Sequence, residues 1–238
     1  MPLDLTPPSQ SILLSEDQFD FEKMVSYSAV LDAVESIKME RSRVEVPSRV
    51  DKDKQVVLTS VSVLLPYELK DEDLEEAYKN GDESLRQHVL RELYTLNAID
   101  LEDLFINGDD CSIDSLYRAG NGLLKNLKDK AREITLGYES FLAFARFIEE
   151  ENLTLLHNHS LEVIKSHPKS IIVDRLDQNI AIFIDLDNVY AGYGNNITFR
   201  RTTGAVDTSR WYAVKYRVAL EVMNPEKAII VNLFKENE

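Results

Sequence analysis

Residues 43–69 read RVEVPSRVDKDKQVVLTSVSVLLPYEL. Val44 and Val46 alternate with charged residues until Pro47 ends the run, and Val57, Thr59, Val61 and Val63 alternate with Val56, Leu58, Ser60 and Ser62. A period of two belongs to strands, whose successive side chains point to opposite faces. Between the two runs stand four consecutive charges, Asp51, Lys52, Asp53 and Lys54. Two alternating runs around a polar turn predict a long β-hairpin. Its tip carries few apolar residues, so the hairpin has little to bury within its own subunit. That leaves a solvated loop, or an arm that pairs with a neighbour through strand contacts.

Working outward, residues 67–80 form an acidic connector with Asp71, Glu72, Asp73, Glu75 and Glu76, and Asp71 is placed to cap a helix. Leu85, Val89, Leu93, Leu96, Leu101 and Leu104 then make an apolar stripe, with Phe105 beside Leu104. This predicts a helix over 82–106, capped by Asp82 or Ser84 and stopped by Asn107-Gly108. At ~1.5 Å per residue it exceeds 30 Å and acts as a spine. On the other side of the hairpin, residues 1–18 read as an arm, because Pro2, Pro7 and Pro8 oppose helix formation. Residues 19–40 read as a helix carrying Phe21, Met24, Val25, Ala29, Val30, Ala33, Val34 and Ile37 at helical spacing. Beyond the spine the pattern predicts helices over 137–151 and 158–166. It predicts strands over 170–174, 180–185, 196–201, 211–222 and 227–233, the last two parted by Asn224-Pro225.

Composition narrows the function. The chain of 238 residues is 44% hydrophobic and 29% charged, which excludes wholesale disorder. Lys and Arg number 27 against 42 Asp and Glu, a net charge of −15. Phosphate contacts need clustered Lys and Arg, so a sequence-reading nucleic-acid protein is disfavoured, as is an anionic membrane surface. Cys111 is the single cysteine, so an intrachain disulfide or a multi-Cys zinc site is excluded. No secretory leader is expected in MPLDLTPPSQSILL. Apolar runs end at about five residues, far short of a membrane span. A cytoplasmic protein is the expectation.

The enzyme candidates are sparse. Asp185 and Asp187 follow an apolar strand and offer hard oxygen ligands to a divalent metal; Asp and Asn at a strand end also simply favour turns. His157, His159 and His167 lie near one another, as zinc ligands can, but in polar surroundings that favour three solvated histidines. Asn107-Gly108-Asp109 and Gly120, Gly122 lack the pattern of a phosphate cradle. Cys111 has no activating neighbour in sequence, and no Gly-x-Ser-x-Gly elbow occurs.

The order of elements is more informative: arm, helix, charged hairpin, spine helix, Asn-Gly-Asp turn, Gly-Leu-Leu-Lys segment and a strand-rich C-terminus. It resembles the major capsid proteins of tailed phages, the Hong Kong 97 type. Arg43 to Pro66 match that family's extended hairpin, the E-loop. Val61 to Leu69 are similar to the strand leading into its peripheral domain. Leu104-Phe105-Ile106-Asn107-Gly108-Asp109 resembles the end of its spine helix, and Asn121-Gly122-Leu123-Leu124 its "dGLl" segment. Tyr193 to Arg201, Tyr212 to Leu220 and Asn224 to Ile230 resemble its closing strands. The resemblance covers most of residues 20–234.

It implies an α+β Hong Kong 97-like capsid fold with N-terminal arm and helix (1–40), E-loop hairpin (41–69), peripheral domain with spine helix (70–136), shortened axial domain (137–192) and C-terminal strands returning to the peripheral domain (193–238). It implies a non-enzymatic shell subunit of a virion, assembled in host cytoplasm, with no cofactor. Its partners would be further copies of itself, scaffold and portal proteins, and packaged double-stranded DNA held without sequence reading. The expected interface residues are Arg49, Asp51, Lys52 and Lys54 at the hairpin tip and Arg200, Arg201, Arg210 and Trp211 in the C-terminal sheet. Some members cross-link a hairpin Lys to a C-terminal Asn; here Asp207 and Thr208 stand near that place, so Lys52 and Lys54 are not expected to cross-link. The rivals are an encapsulin-like compartment of the same fold, a small metal-dependent hydrolase using Asp185, Asp187 and a histidine, and an acidic adaptor.

Overall fold

The computed structural model describes residues 20–70, 82–108, 122–147, 153–158, 169–194, 199–203 and 209–234. Where one helix was expected over 19–40, there are two short ones and a strand: α1 (Phe21–Val25), α2 (Ala29–Ala33) and β1 (Ser36–Met39). Short polar side chains divide the segment. Asp20 caps α1 by accepting the Lys23 N–H, and Ser28 caps α2 by accepting the Leu31 N–H. Val34 is already extended, and the chain continues into β1, which pairs in parallel with β9.

The hairpin strands are β2 (Arg43–Pro47) and β3 (Gln55–Thr59), antiparallel with Arg43 opposite Thr59 and Pro47 opposite Gln55. After Ser60 the chain enters β4 (Val61–Lys70). The acidic connector therefore begins later than expected, since residues 67–70 keep the strand period and pair in a ladder. The spine is α3 (Asp82–Asn107), followed by α4 (Leu123–Leu127), β5 (Arg132–Gly137) and α5 (Tyr138–Phe147). Then come β6 (Thr154–His157), β7 (Ser170–Ile172), β8 (Ile180–Ile184), β9 (Val189–Gly194), β10 (Phe199–Thr203), β11 (Ser209–Val222) and β12 (Ile229–Phe234). Of the helix expected over 158–166, only Asn158 lies among the described residues, just beyond the end of β6.

Besides the two-stranded β2–β3 hairpin, the strands make two five-stranded sheets. In the first, β11 is the axis. It pairs with β4 over ten residue pairs on one edge, and with β10 and then β9 on the other, while β1 joins β9 in parallel. The second runs β5-β12-β8-β6-β7. The closing strands thus part company: β11 belongs to the first sheet and β12 to the second.

The spine joins the two. Every residue from Leu101 to Ile106 is buried, more than a one-sided stripe would give. Around its C-terminal half, Leu101, Leu104 and Ile106 share a core with Tyr216 and Leu220 of the first sheet and Ile182 and Ile230 of the second. A separate cluster packs α5 on the second sheet, where Phe144 meets Phe183 edge-on at 5.7 Å. The spine ends as expected at Gly108, whose φ of 64° suits glycine. Gly122, at the N-cap of α4, lies directly on that turn. A Cβ added to it would stand 2.4 Å from the Gly108 nitrogen. The two Gly-containing motifs of the sequence are therefore one contact.

Candidate assembly surface

The hairpin strands are two-sided. Val56 and Leu58 are buried, and with Val44 and Val46 they pack on Met39, Tyr190 and Ala219 of the first sheet. This corrects the expectation that the hairpin has little to bury in its own subunit. The charged tip suggested a free arm, but the inward row of each strand is apolar and the sheet supplies its cover. The outward row, Arg43, Glu45, Pro47, Gln55, Val57 and Thr59, is exposed.

The turn is held by its own polar groups. Ser48, buried, accepts the N–H groups of Val50 and Asp51, and its own N–H donates to the Lys54 carbonyl. Lys54 Nζ lies 2.9 Å from an Asp51 carboxylate oxygen. That hydrogen bond is the main reason the Asp51 pKa falls and the Lys54 pKa rises from their ordinary values. Both are open to water, where such a pair adds little. Lys52, at the tip, is exposed.

Arg49 behaves differently from its neighbours, because it is bound within its own chain. Its backbone N–H donates to the Tyr190 hydroxyl. Its guanidinium lies 4.4 Å from the centre of the Tyr190 ring, donates to the Val189 carbonyl at 2.7 Å and pairs with Glu35 at 2.8 Å. Burial raises the Tyr190 pKa, but the hydrogen bonds from Arg49 and Ser48 outweigh it and the net shift is downward.

The second candidate group lies elsewhere. By register Arg200 stands opposite Ala213, Arg201 opposite Tyr212, Arg210 opposite Thr203 and Leu69, and Trp211 opposite Thr202 and Glu68. Tyr190, which holds Arg49, stands opposite Glu221 near the other end of β11. Ten residues of strand, about 33 Å, separate the two groups. The structure does not bring them together in one subunit.

The candidate metal ligands have structural duties. Asp185 accepts the Asp187 N–H and the Asn188 side-chain amide, each at 3.1 Å, and so turns the chain into β9. His157 is 2% exposed, with Nδ1 at 2.9 Å from the Asn158 carbonyl oxygen. This corrects its placing among solvated histidines, since it ends a central strand rather than starting a polar helix. His159, His167, Cys111, Asp109, Gly120, Asp207 and Thr208 lie outside the described residues. Among the described residues, no three His, Cys, Asp or Glu are grouped to hold a metal ion. No described helix is long and apolar enough to cross a membrane.

Sequence reasoning missed the polar contacts that lock the spine in place. Asn97 is fully buried. It donates to the Leu93 carbonyl and accepts the Tyr216 hydroxyl of β11. Ser28 donates to Glu102 at 2.6 Å while capping α2. The signal was a polar residue one or two places off each apolar position, which reads equally as a solvated face.

Burial raises the Glu102 pKa, and nearby Asp174 adds to this. The folded state then binds a proton that the unfolded state has released. The stability this contributes is complete below the unfolded pKa and is lost as pH rises through the folded one. Glu102→Gln should flatten the decline of melting temperature above about pH 4.3, the ordinary Glu value. Thermal scans from pH 4 to 8 check this, and an unchanged slope contradicts it.

No family model matches the chain, and no curated protein matches its sequence. Solved structures do. A chain of the satellite phage P4 procapsid that includes the size determination (Sid) protein superposes with a TM-score of 0.64 at 8% identity, covering 90% of both chains. A chain of Mycobacterium phage Cain gives 0.58 at 12% identity, covering 88% of this chain and 91% of that one. The holo-SrpI encapsulin of Synechococcus elongatus gives 0.51 at 11% identity, covering 88% and 90%. The fold is that of Hong Kong 97-type shell proteins.

Proposed function

We propose that this chain is a structural shell subunit, the major capsid protein of a tailed-phage head. The observation that carries the reading is the extent of the likeness to the P4 procapsid chain, 90% of each chain. A likeness of that extent spans most of the chain rather than one motif. The physics is compatible. The hairpin's outer row and tip offer a surface to a neighbouring copy, and Lys52, Lys54 and Asp51 are its charged contacts. A second group, Arg200, Arg201, Arg210 and Trp211, is carried by β10 and β11 of the first sheet, about 33 Å of strand from the Tyr190 register. Two different patches on one subunit suit heterologous contacts, which close into rings and build shells.

The net charge of −15 makes subunits repel one another, so assembly should strengthen with ionic strength. The same charge suits a wall that encloses DNA by confinement without gripping it. Scaffold and portal proteins are the further partners of this reading, and the virion is its location. An encapsulin-like compartment is the second reading, favoured by the likeness to the SrpI shell.

Light scattering on a sizing column at low and high salt, with negative-stain images, tests the proposal. The expected result is species of many subunits, with rings or shells that increase at higher salt. A monomer or dimer at every salt, and also on co-expression with the neighbouring genes, overturns it. Nuclease-protected DNA in the particles separates a phage head from a compartment loaded with protein.

A further inference from the structure

We propose that Arg49 is a positioning residue, a latch that clamps the hairpin turn onto β9 of its own subunit and fixes the direction in which the outer hairpin face points. Four contacts converge on this one residue. The backbone N–H engages the Tyr190 hydroxyl, the guanidinium covers the Tyr190 ring, and its two terminal nitrogens reach the Val189 carbonyl and Glu35. Together they tie the hairpin turn to β9 and to the segment before β1. A planar guanidinium can stack and donate in two directions at once, which a lysine ammonium cannot.

The location matters as much as the number. The apolar inner row of β2 and β3 fixes the hairpin across its width, but the turn beyond Pro47 has no apolar cover of its own. Val50 is 40% exposed, and residues 52–54 are exposed. Without the Arg49 side chain, the turn would keep only the Tyr190 hydroxyl's hydrogen bonds with Ser48 and the residue-49 backbone as its tie to β9, and the Asp51–Lys54 pair is solvated. Glu35 is the weak arm of the latch, since its side chain is 70% exposed. The Tyr190 ring and the Val189 carbonyl are the strong arms. Its consequence for assembly rests on the shell reading above: a latched hairpin meets its neighbour already oriented, so less ordering cost falls on the contact.

The test is hydrogen exchange by mass spectrometry on the unassembled full chain, with limited trypsin cleavage at Lys52 and Lys54. Arg49→Ala should raise exchange of the 48–54 amides and cleavage at both lysines about tenfold, leaving β9, β11 and β12 protected as before. Arg49→Lys should recover only a minor part, Glu35→Gln should change little, and Tyr190→Phe should fall between Arg49→Ala and wild type. Unchanged protection of the turn in Arg49→Ala overturns the proposal. So does equally raised exchange throughout the chain, which would mark Arg49 as a general stabiliser. Because the readout is on single subunits, failure of the wild type to form shells would count against the function and leave the latch measurement standing.

Discussion

Deletion of Asp51 to Lys54 should give a subunit that folds and does not assemble. The deletion leaves Ser48, Arg49 and Val50 between β2 and β3, a three-residue connection that hairpins commonly use. The buried row of Val44, Val46, Val56 and Leu58 is untouched, so the hairpin keeps its seat and melting should shift by only a few degrees. What disappears is the charged tip with Lys52 and Lys54, the part of the hairpin that stands furthest from its own core. On the shell reading the loss of particles should be complete, at least a hundredfold by light scattering, because every subunit in a shell repeats the missing contact. Circular dichroism matching the wild type, with no large species, is the expected pair of results. Normal shells from the shortened chain would remove the tip from the assembly contact.

The largest effect on stability should come from Gly122→Ala. The added methyl would lie 2.4 Å from the Gly108 nitrogen and 2.6 Å from the Asn107 carbonyl carbon. Both are backbone atoms at the end of the spine, so no side chain can swing aside. Either α4 or the spine terminus must move, and both are packed in the main core through Leu123, Leu127 and Ile106. Overpacking of this kind costs about 3 kcal/mol. For a chain of this size that is roughly 6–12 °C in melting temperature. Gly108→Ala is strained by the left-handed φ of 64° and should cost about 1 kcal/mol. A differential scan of the two variants checks the order, and a Gly122→Ala protein as stable as Gly108→Ala refutes it.

These two glycines also illustrate what the sequence made legible. Asn107-Gly108 was readable as a helix stop because a glycine after an apolar stripe has a local cause. That Gly122 presses on the same turn was not, since close approach of two backbones leaves no periodic trace. The spine, α5 and β11 were visible because each keeps one period over its length, and β8 because IAIFI is an unbroken run of apolar, mostly β-favouring residues without glycine. β1, β6 and β9 were missed for the opposite reason. They are short, and β9, VYAGYG, is buried on both faces, so no alternation survives. The helix expected over 19–40 failed because Ser28 caps a new helix and Val34 turns extended. For the assembly surface, the hairpin and its charged turn were legible from alternation and charge. The role of Arg49 was not, because its partners lie 14 and about 140 residues away and are a carbonyl, a ring and a glutamate.

The ladder between β4 and β11 has a mechanical side. Ten residue pairs in continuous register, joined by β9 and β10 on the opposite edge, run along one line through the first sheet. A tensile load applied along that line is shared by all the rungs at once, whereas a load across it would part them one after another. On the shell reading, in a closed wall swollen from within, β11 would serve as a tendon. The direction in which it is laid relative to the wall would decide whether the particle bursts or merely stretches.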